Sequence, residues 1–94
     1  MDADAKRKTR ARLKRISGQV QGIQRMVDED RYCLDVLSQI AAVRSALDAL
    51  GVELLSNHVE HCVTGGPNAH PQAKGMSSEE ITAELRTALD RFLR

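Results

Sequence analysis

The stretch that decides the fold is residues 33–62, CLDVLSQIAAVRSALDALGVELLSNHVEHC. It contains both cysteines, two of the three histidines and no proline. Its apolar residues recur at the three- and four-residue spacing that is typical of an amphipathic α-helix. The positions that set this spacing are Leu37, Ile40, Leu47, Leu50 and Leu54, with Val36, Val43 and Leu55 beside them. We therefore predict one long helix through this stretch.

The two cysteines lie on the same side of this predicted helix. Cys33 and Cys62 are 29 residues apart, so at 100° per residue they point within about 20° of each other. At 1.5 Å per residue they are roughly 43 Å apart along the helix axis. Ligands of one metal ion are separated by only a few ångströms. One straight helix therefore cannot bring both cysteines to the same ion.

Two arrangements could bring the cysteines together. A hairpin that breaks at Gly51 places Cys33 about 27 Å from the turn but Cys62 only about 16 Å from it, so the arms do not match. An antiparallel copy of the helix from a second chain brings residue 33 beside residue 60 and puts the two-fold axis near Ala46 and Leu47. The sequence therefore predicts a homodimer with two identical sites, each shared between the chains.

Length and composition predict a single all-α domain over residues 1–94. Ninety-four residues with one Tyr, one Phe and no Trp give a small aliphatic core, for which oligomerisation is a common remedy. The periodicity predicts helices over about residues 5–27, 31–63 and 77–93, with a glycine- and proline-containing loop over residues 64–76. Ser77 and Glu80 form a capping-box pattern at the start of the third helix.

The chain is expected to be cytoplasmic. No apolar run is long enough to span a membrane, and the N-terminus does not resemble a secretory signal. In a reducing compartment, two cysteines are better explained as ligands or redox switches than as a structural disulfide.

Positive charge is concentrated at the N-terminal end. Residues 1–27 hold eight basic and two acidic side chains, a balance of +6, and the rest of the chain has a balance of −5. A solvated helix usually mixes both signs, whereas a one-signed surface is typical of a phosphate partner. The scarcity of aromatic residues favours duplex over single-stranded nucleic acid. Gly18 and Gly22 weaken this helix, and we expect them to pack closely against a neighbouring helix.

Three side chains form a candidate metal site. His58 and Cys62 are four residues apart, so both project from one helix face, and Cys33 of the partner chain would join them. Two thiolates and one imidazole favour trigonal Cu(I), whereas Zn(II) usually recruits a fourth ligand or water. Each residue alone also fits a structural role, since helix cysteines often act as small hydrophobes. His61 is a possible fourth ligand, although a bystander role is favoured.

Several motifs together resemble one family. The chain has RLKRISGQVQGIQRM at residues 12–26, then Tyr32-Cys33, then HVEHC at residues 58–62. This pattern resembles the CsoR/RcnR family of bacterial metal-sensing repressors, and in particular its copper-sensing branch. The resemblance implies an all-α three-helix protomer with a long central helix, an antiparallel four-helix-bundle dimer and a homotetramer built as a dimer of dimers.

The resemblance also implies a function and further site residues. The metal-free protein would bind double-stranded operator DNA through the basic first helices, and Cu(I) would release it. We expect the DNA-contacting residues to be Lys8, Arg12, Arg15 and, on the long helix, Arg44. The family pairs the ligand histidine with a tyrosine, matched by Tyr32, and with a glutamate in the third helix. Glu84 is the favoured match for that glutamate, and Glu80 is the alternative.

The branches of the family differ at positions that can be checked here. The nickel and cobalt sensors carry a histidine at the position of Met1, the formaldehyde sensors lack the second cysteine, and the persulfide sensors lack the histidine at the position of His58. By elimination, Cu(I) is favoured. A repressor that responds to thiols, persulfide, nickel or zinc, and a copper buffer without DNA binding, remain alternatives. An enzyme is not expected, because no base lies beside a nucleophile apart from the histidine and cysteine of the metal site.

Overall fold

The computed structural model of the chain describes residues 1–59, 72 and 75–94. Three helices follow in order: α1 spans Ala3–Asp28, α2 spans Cys33–His58 and α3 spans Ser78–Phe92. No β-strand occurs among the described residues, and the predicted all-α class with three helices is confirmed. The predicted continuation of the second helix over residues 60–63 and most of the predicted loop lie outside the described residues.

The described chain divides into two compact units. One unit is Ala3–Val52, and the other joins Met1–Asp2 to Glu53–Arg94. The first unit contains α1 and most of α2, together with the three buried hydrophobic residues of the described chain, Ile16, Val43 and Leu50. No helix in the described part of the chain is both long and apolar enough to cross a membrane.

The turn between α1 and α2 is short, and backbone hydrogen bonds close the end of α1. The N–H of Arg31 donates to the carbonyl of Met26 at 2.9 Å, and the N–H of Asp30 donates to that of Val27 at 3.1 Å. This is the Schellman arrangement, which needs a left-handed residue just after the helix. Asp30 occupies that position with a φ of 55°. Glycine is the usual residue there, because a side chain makes this conformation costly.

Replacing Asp30 with glycine should therefore stabilise the protein. We expect Asp30→Gly to raise the free energy of unfolding by about 0.5–1 kcal/mol, seen as a melting temperature a few degrees higher at the same protein concentration. Glu29→Gly is the matched control, because the N–H of Glu29 still makes a helical bond to the carbonyl of Arg25 at 2.9 Å. The control should lower the melting temperature. A fall with both variants would contradict this explanation.

Much of the apolar surface of the Ala3–Val52 unit is exposed. On α1, Leu13, Val20 and Val27 are each about half exposed, and α2 carries a similar row. Apolar surface of this extent on a small domain marks an interaction face. A chain with three buried hydrophobic residues among those described has little core of its own, as its length predicted.

The two glycines of α1 do not have the close neighbour that the sequence predicted. A Cβ built on Gly18 would meet no atom within 4 Å, and one built on Gly22 would meet only a guanidinium nitrogen of Arg25, at 3.9 Å. Each glycine costs the helix up to about 1 kcal/mol relative to alanine. The predicted packing against a neighbouring helix is therefore wrong within the single chain, and no described part of the chain requires glycine there.

Helix α3 begins as the sequence predicted. The N–H of Glu80 donates to Oγ of Ser77 at 3.1 Å, and the N–H of Ser77 donates to Oε1 of Glu80 at 3.2 Å. This reciprocal pair satisfies two N–H groups that the helix itself leaves unpaired. Ile81, Leu85 and Leu89 form the half-buried side of α3.

Candidate functional site

The thiol of Cys33 is accessible from outside the chain. It is the first residue of α2, its side chain is exposed, and it is a free thiol. The preceding Tyr32 holds the helix start with its carbonyl oxygen, which accepts the N–H groups of Asp35 at 3.0 Å and Val36 at 3.2 Å. The Tyr32 side chain is exposed. The thiol and the phenol therefore stand side by side in sequence at one end of the helix, both open to a partner.

His58 is the last residue of α2 and is half-buried. A helix of 26 residues is about 39 Å long, and over the 25 steps from Cys33 the side-chain direction returns to within about 20°. By helix geometry alone, Cys33 and His58 fall on the same face at opposite ends of α2, and their joint role in one site stays a prediction. Cys62 and His61 lie outside the described residues, so the pairing of His58 with Cys62 stays a prediction.

The donor set fits a soft metal ion. Thiolate and imidazole ligands suit Cu(I), whereas oxygen ligands suit Mg²⁺ or Ca²⁺. Among the described residues of one chain, no group of three or more His, Cys, Asp or Glu side chains is close enough to hold a metal. In the described part of a single chain, Cys33 is the available thiol and His58 the available imidazole.

The two candidates for the carboxylate partner of His58 have different surroundings. Glu80 is engaged in the cap of α3 through its Oε1 atom. Glu84, one turn further along, is exposed. A carboxylate that already stabilises a helix start is poorly available for another role, so this geometry favours Glu84, as the sequence analysis did.

The residues predicted to contact DNA are all exposed. Lys8, Arg12 and Arg15 lie on α1, and Arg44 lies on α2. Asp4 was not among the residues predicted to take part in this surface. Its carboxylate pairs with Arg7 and, at 3.4 Å, with Nζ of Lys8. The spacings of three and four residues along one helix are the signal that could have revealed these pairs. Exposed ion pairs of this kind are weak, so phosphates can compete with Asp4 for these side chains.

A family model described as "metal-sensitive transcriptional repressor" matches residues 5–91, nearly the whole chain. The chain belongs to this family. The metal-sensitive repressors are regulators of transcription and not enzymes, so the expected absence of enzymatic activity follows from the family. The resemblance drawn from residues 12–26 and the cysteine and histidine motifs is confirmed.

Individual relatives of this metal-sensitive repressor carry more specific names. The copper-sensing transcriptional repressor RicR of Mycobacterium tuberculosis is 56% identical over 63 residues, which are 62% of this chain and 66% of RicR. The chain thus matches just under two thirds of that relative's length. The crystal structure of the copper-sensing repressor CsoR with Cu(I) from Geobacillus thermodenitrificans gives a TM-score of 0.84 at 37% identity, over 100% of this chain and 92% of that one.

The same fold is found in a sensor of another metal. The nickel-responsive transcriptional regulator InrS gives a TM-score of 0.71 at 43% identity, over 92% of this chain and 90% of that one. The fold alone therefore does not select the metal, and the choice between copper and nickel depends on the ligands.

Proposed function

We propose that this metal-sensitive repressor responds to Cu(I): without the metal it binds double-stranded operator DNA, and on binding Cu(I) it releases that DNA and lets copper-resistance genes be transcribed. The observation that carries the proposal is the position of an exposed thiol, Cys33, and an imidazole, His58, at opposite ends of one face of α2. Since an operator is cytoplasmic, the protein would act there.

An antiparallel dimer is the arrangement that completes the metal site. It brings Cys33 of one chain to His58 and Cys62 of the partner subunit, which would together bind Cu(I). The row of exposed apolar residues between the ends of α2 supports this arrangement. Leu37, Ile40 and Leu47 are 55%, 40% and 46% exposed, and by helix geometry they point to the same side as Cys33 and His58.

A second contact between dimers is supported by another side of α2, centred about 140° around the helix from the Cys33–His58 side. That side is uncharged and is made largely of small side chains, all of them exposed. Its residues are Leu34, Ser38, Ala41, Ala42, Ser45, Ala49 and Val52. A helix side without charge is typically covered, and the Cys33–His58 side is apolar apart from Arg44, which lies about 20° from Cys33 around the helix. We infer that one side forms the antiparallel dimer and the other joins two dimers into the homotetramer.

DNA release would follow from a coupling between the metal site and the basic helices. Lys8, Arg12 and Arg15 would contact operator phosphates, with Arg44 beside them. When His58 ligates the metal with one ring nitrogen, its other nitrogen is free to donate to Glu84, and Tyr32 lies next to Cys33. Coupling free energies of 1–3 kcal/mol are typical, which corresponds to roughly 5- to 150-fold weaker DNA binding with Cu(I).

The ligand residues favour copper over the alternatives. The nickel branch of the family adds a histidine where this chain has Met1, and the persulfide branch lacks the histidine that is present here as His58. A thiol switch needs only Cys33 and Cys62, and a copper buffer has no use for the basic face of α1. These alternatives make different predictions for one variant.

The deciding experiment is a gel shift with the DNA upstream of the chain's own gene, with and without Cu(I). Wild-type protein should bind that DNA in a salt-dependent way and lose about 5- to 150-fold in affinity when Cu(I) is added. His58→Ala should bind the DNA equally well but respond to copper at least about tenfold less. A fully inducible His58→Ala would indicate a thiol switch. A wild-type protein that binds copper but not DNA would indicate a buffer.

A further inference from the structure

Two oppositely charged side chains stand at the middle of the side of α2 that the proposed dimer would cover. Arg44 lies on the Cys33–His58 side, about 20° around the helix from Cys33, and Asp48 borders that side at about 60° in the same direction. Both residues are exposed. Because the exposed residues around Arg44 on this side are apolar, a second chain packed there would remove its charge from water. A charge in such a place needs a partner of opposite sign.

Arg44 and Asp48 do not neutralise each other within one chain. They are four residues apart on one helix, a spacing at which opposite charges can pair. Within the described part of the chain, however, neither of them makes an ion pair. Their order is also the weaker one, because a basic residue that precedes its acidic partner works against the helix dipole. Both charges therefore remain available to another chain.

The proposed metal site fixes how an antiparallel partner helix would be aligned. With residue 33 beside residue 60 of the partner subunit, residue 44 lies beside residue 49, one residue from Asp48 of the partner subunit. One residue is a rise of about 1.5 Å along the axis. Arg44 would be about 7.5 Å along the axis from its own copy, and Asp48 about 4.5 Å from its own. In this register the opposite charges are thus closer than the like charges.

The directions of the two side chains agree with this alignment. The two-fold axis of an antiparallel pair is perpendicular to both helices and to the line that joins them, so it carries a side chain on one flank onto the same flank of the pair. Arg44 and Asp48 are displaced to the same flank relative to Cys33. They would therefore meet across the pair. The register was set by the thiol and imidazole positions alone, so the charges support it independently.

We propose that Arg44 of each chain forms an ion pair with Asp48 of the partner subunit, twice in the dimer, beside the two-fold axis. This inference rests on the antiparallel dimer of the proposed function, which it deepens by naming the charges that set the register. Apolar contacts alone allow two helices to slide, whereas specific charge pairs are lost when the register shifts. The pairs would thus keep Cys33 opposite His58 of the partner subunit. The inference reassigns Arg44 from the DNA surface to the contact between the chains.

The test mixes two full-length variants, Arg44→Asp and Asp48→Arg, without added metal. Each variant alone opposes like charges across its dimer, so each should dimerise roughly tenfold more weakly than wild type in sedimentation equilibrium. The mixed dimer opposes aspartate to arginine at both places and should recover wild-type affinity. After the two variants are refolded together, native mass spectrometry should find about nine-tenths mixed dimers, where random pairing gives about half. Such recovery would also show that both variants fold.

A mixture of Arg44→Asp with Asp35→Arg is the matched control. It changes the same kinds of charge, but Asp35 is exposed on α2 about 160° around the helix from Cys33 and about 21 Å along the axis from residue 44 of the partner subunit. This mixture should pair at random.

Three results would overturn the ion pairs: mixed dimers at the random level in the test, an equal excess of mixed dimers in the control, or single variants that dimerise as tightly as wild type. A wild-type protein that does not dimerise at all would be a different failure. It would contradict the antiparallel dimer itself, and the proposed metal site with it.

Discussion

Mixing a Cys33→Ser chain with a His58→Ala chain should restore copper binding that neither variant has alone. In a dimer of identical variants both sites lack a ligand, and we expect Cu(I) affinity to fall by at least about 100-fold, the upper end of the loss seen when only a supporting partner of a ligand is removed. In a mixed dimer the two defects fall in the same site, and the other site has all its ligands. Random mixing of equal amounts should recover about a quarter of the sites.

The measurement is a Cu(I) titration against a competing chelator after the two variants have been unfolded and refolded together. The matched control mixes His58→Ala with Cys62→Ser. Because both defects then lie on the same half of the predicted site, every dimer, mixed or not, has two defective sites, and no recovery is expected. Recovery in the control, or none in the first mixture, would show that the site does not combine Cys33 of one chain with His58 of the other.

Leu47→Asp should separate the dimer and abolish the copper site together. Leu47 is 46% exposed in the single chain and lies near the predicted two-fold axis, so its side chain would meet its own copy. Aspartate there brings two like charges into an apolar contact, at a cost of about 3–5 kcal/mol. The dimer dissociation constant should rise by roughly 100- to 1,000-fold or more. Analytical ultracentrifugation and a Cu(I) titration on the same samples provide the measurement.

Ser38→Asp is the control for this prediction. It introduces the same charge on the same helix, at an exposed residue that lies about 180° from Leu47. It should disrupt contacts between dimers but leave dimers that bind Cu(I) with unchanged affinity. If Ser38→Asp also lost the copper site, or if Leu47→Asp remained dimeric, the two faces of α2 would be wrongly assigned.

The local structure was largely predictable from the sequence. The helices can be predicted from the spacing of the apolar residues alone. The cap of α3 requires only Ser77 and Glu80 at the correct separation. The resemblance to metal-sensing repressors was equally accessible, because the motif at residues 12–26 and the Cys and His spacing are local patterns.

What escaped prediction depends on groups that meet through space. Asp30 adopts a left-handed conformation at the junction of two helices, which the spacing of apolar residues does not reveal. The ion pairs of Asp4 were not predicted, because a net charge does not show which side chains lie close enough to pair. The single chain shows no close neighbour for Gly18, so the predicted packing of the α1 glycines against a neighbouring helix is not found within the protomer, and packing against another chain stays a prediction. The proposed metal site would be divided between two chains, so a single protomer could not display it.

The turn between α1 and α2 has a mechanical consequence for signalling. Three backbone hydrogen bonds close the end of α1 and two others begin α2, and only four residues, 29–32, separate the end of the basic helix from Cys33. A connection this short allows little relative movement of its two ends. A displacement of the Cys33 thiol would therefore also move the end of α1. If α1 contacts the operator and Cys33 binds the metal, as proposed, the two would be coupled directly, without a dedicated relay segment between them.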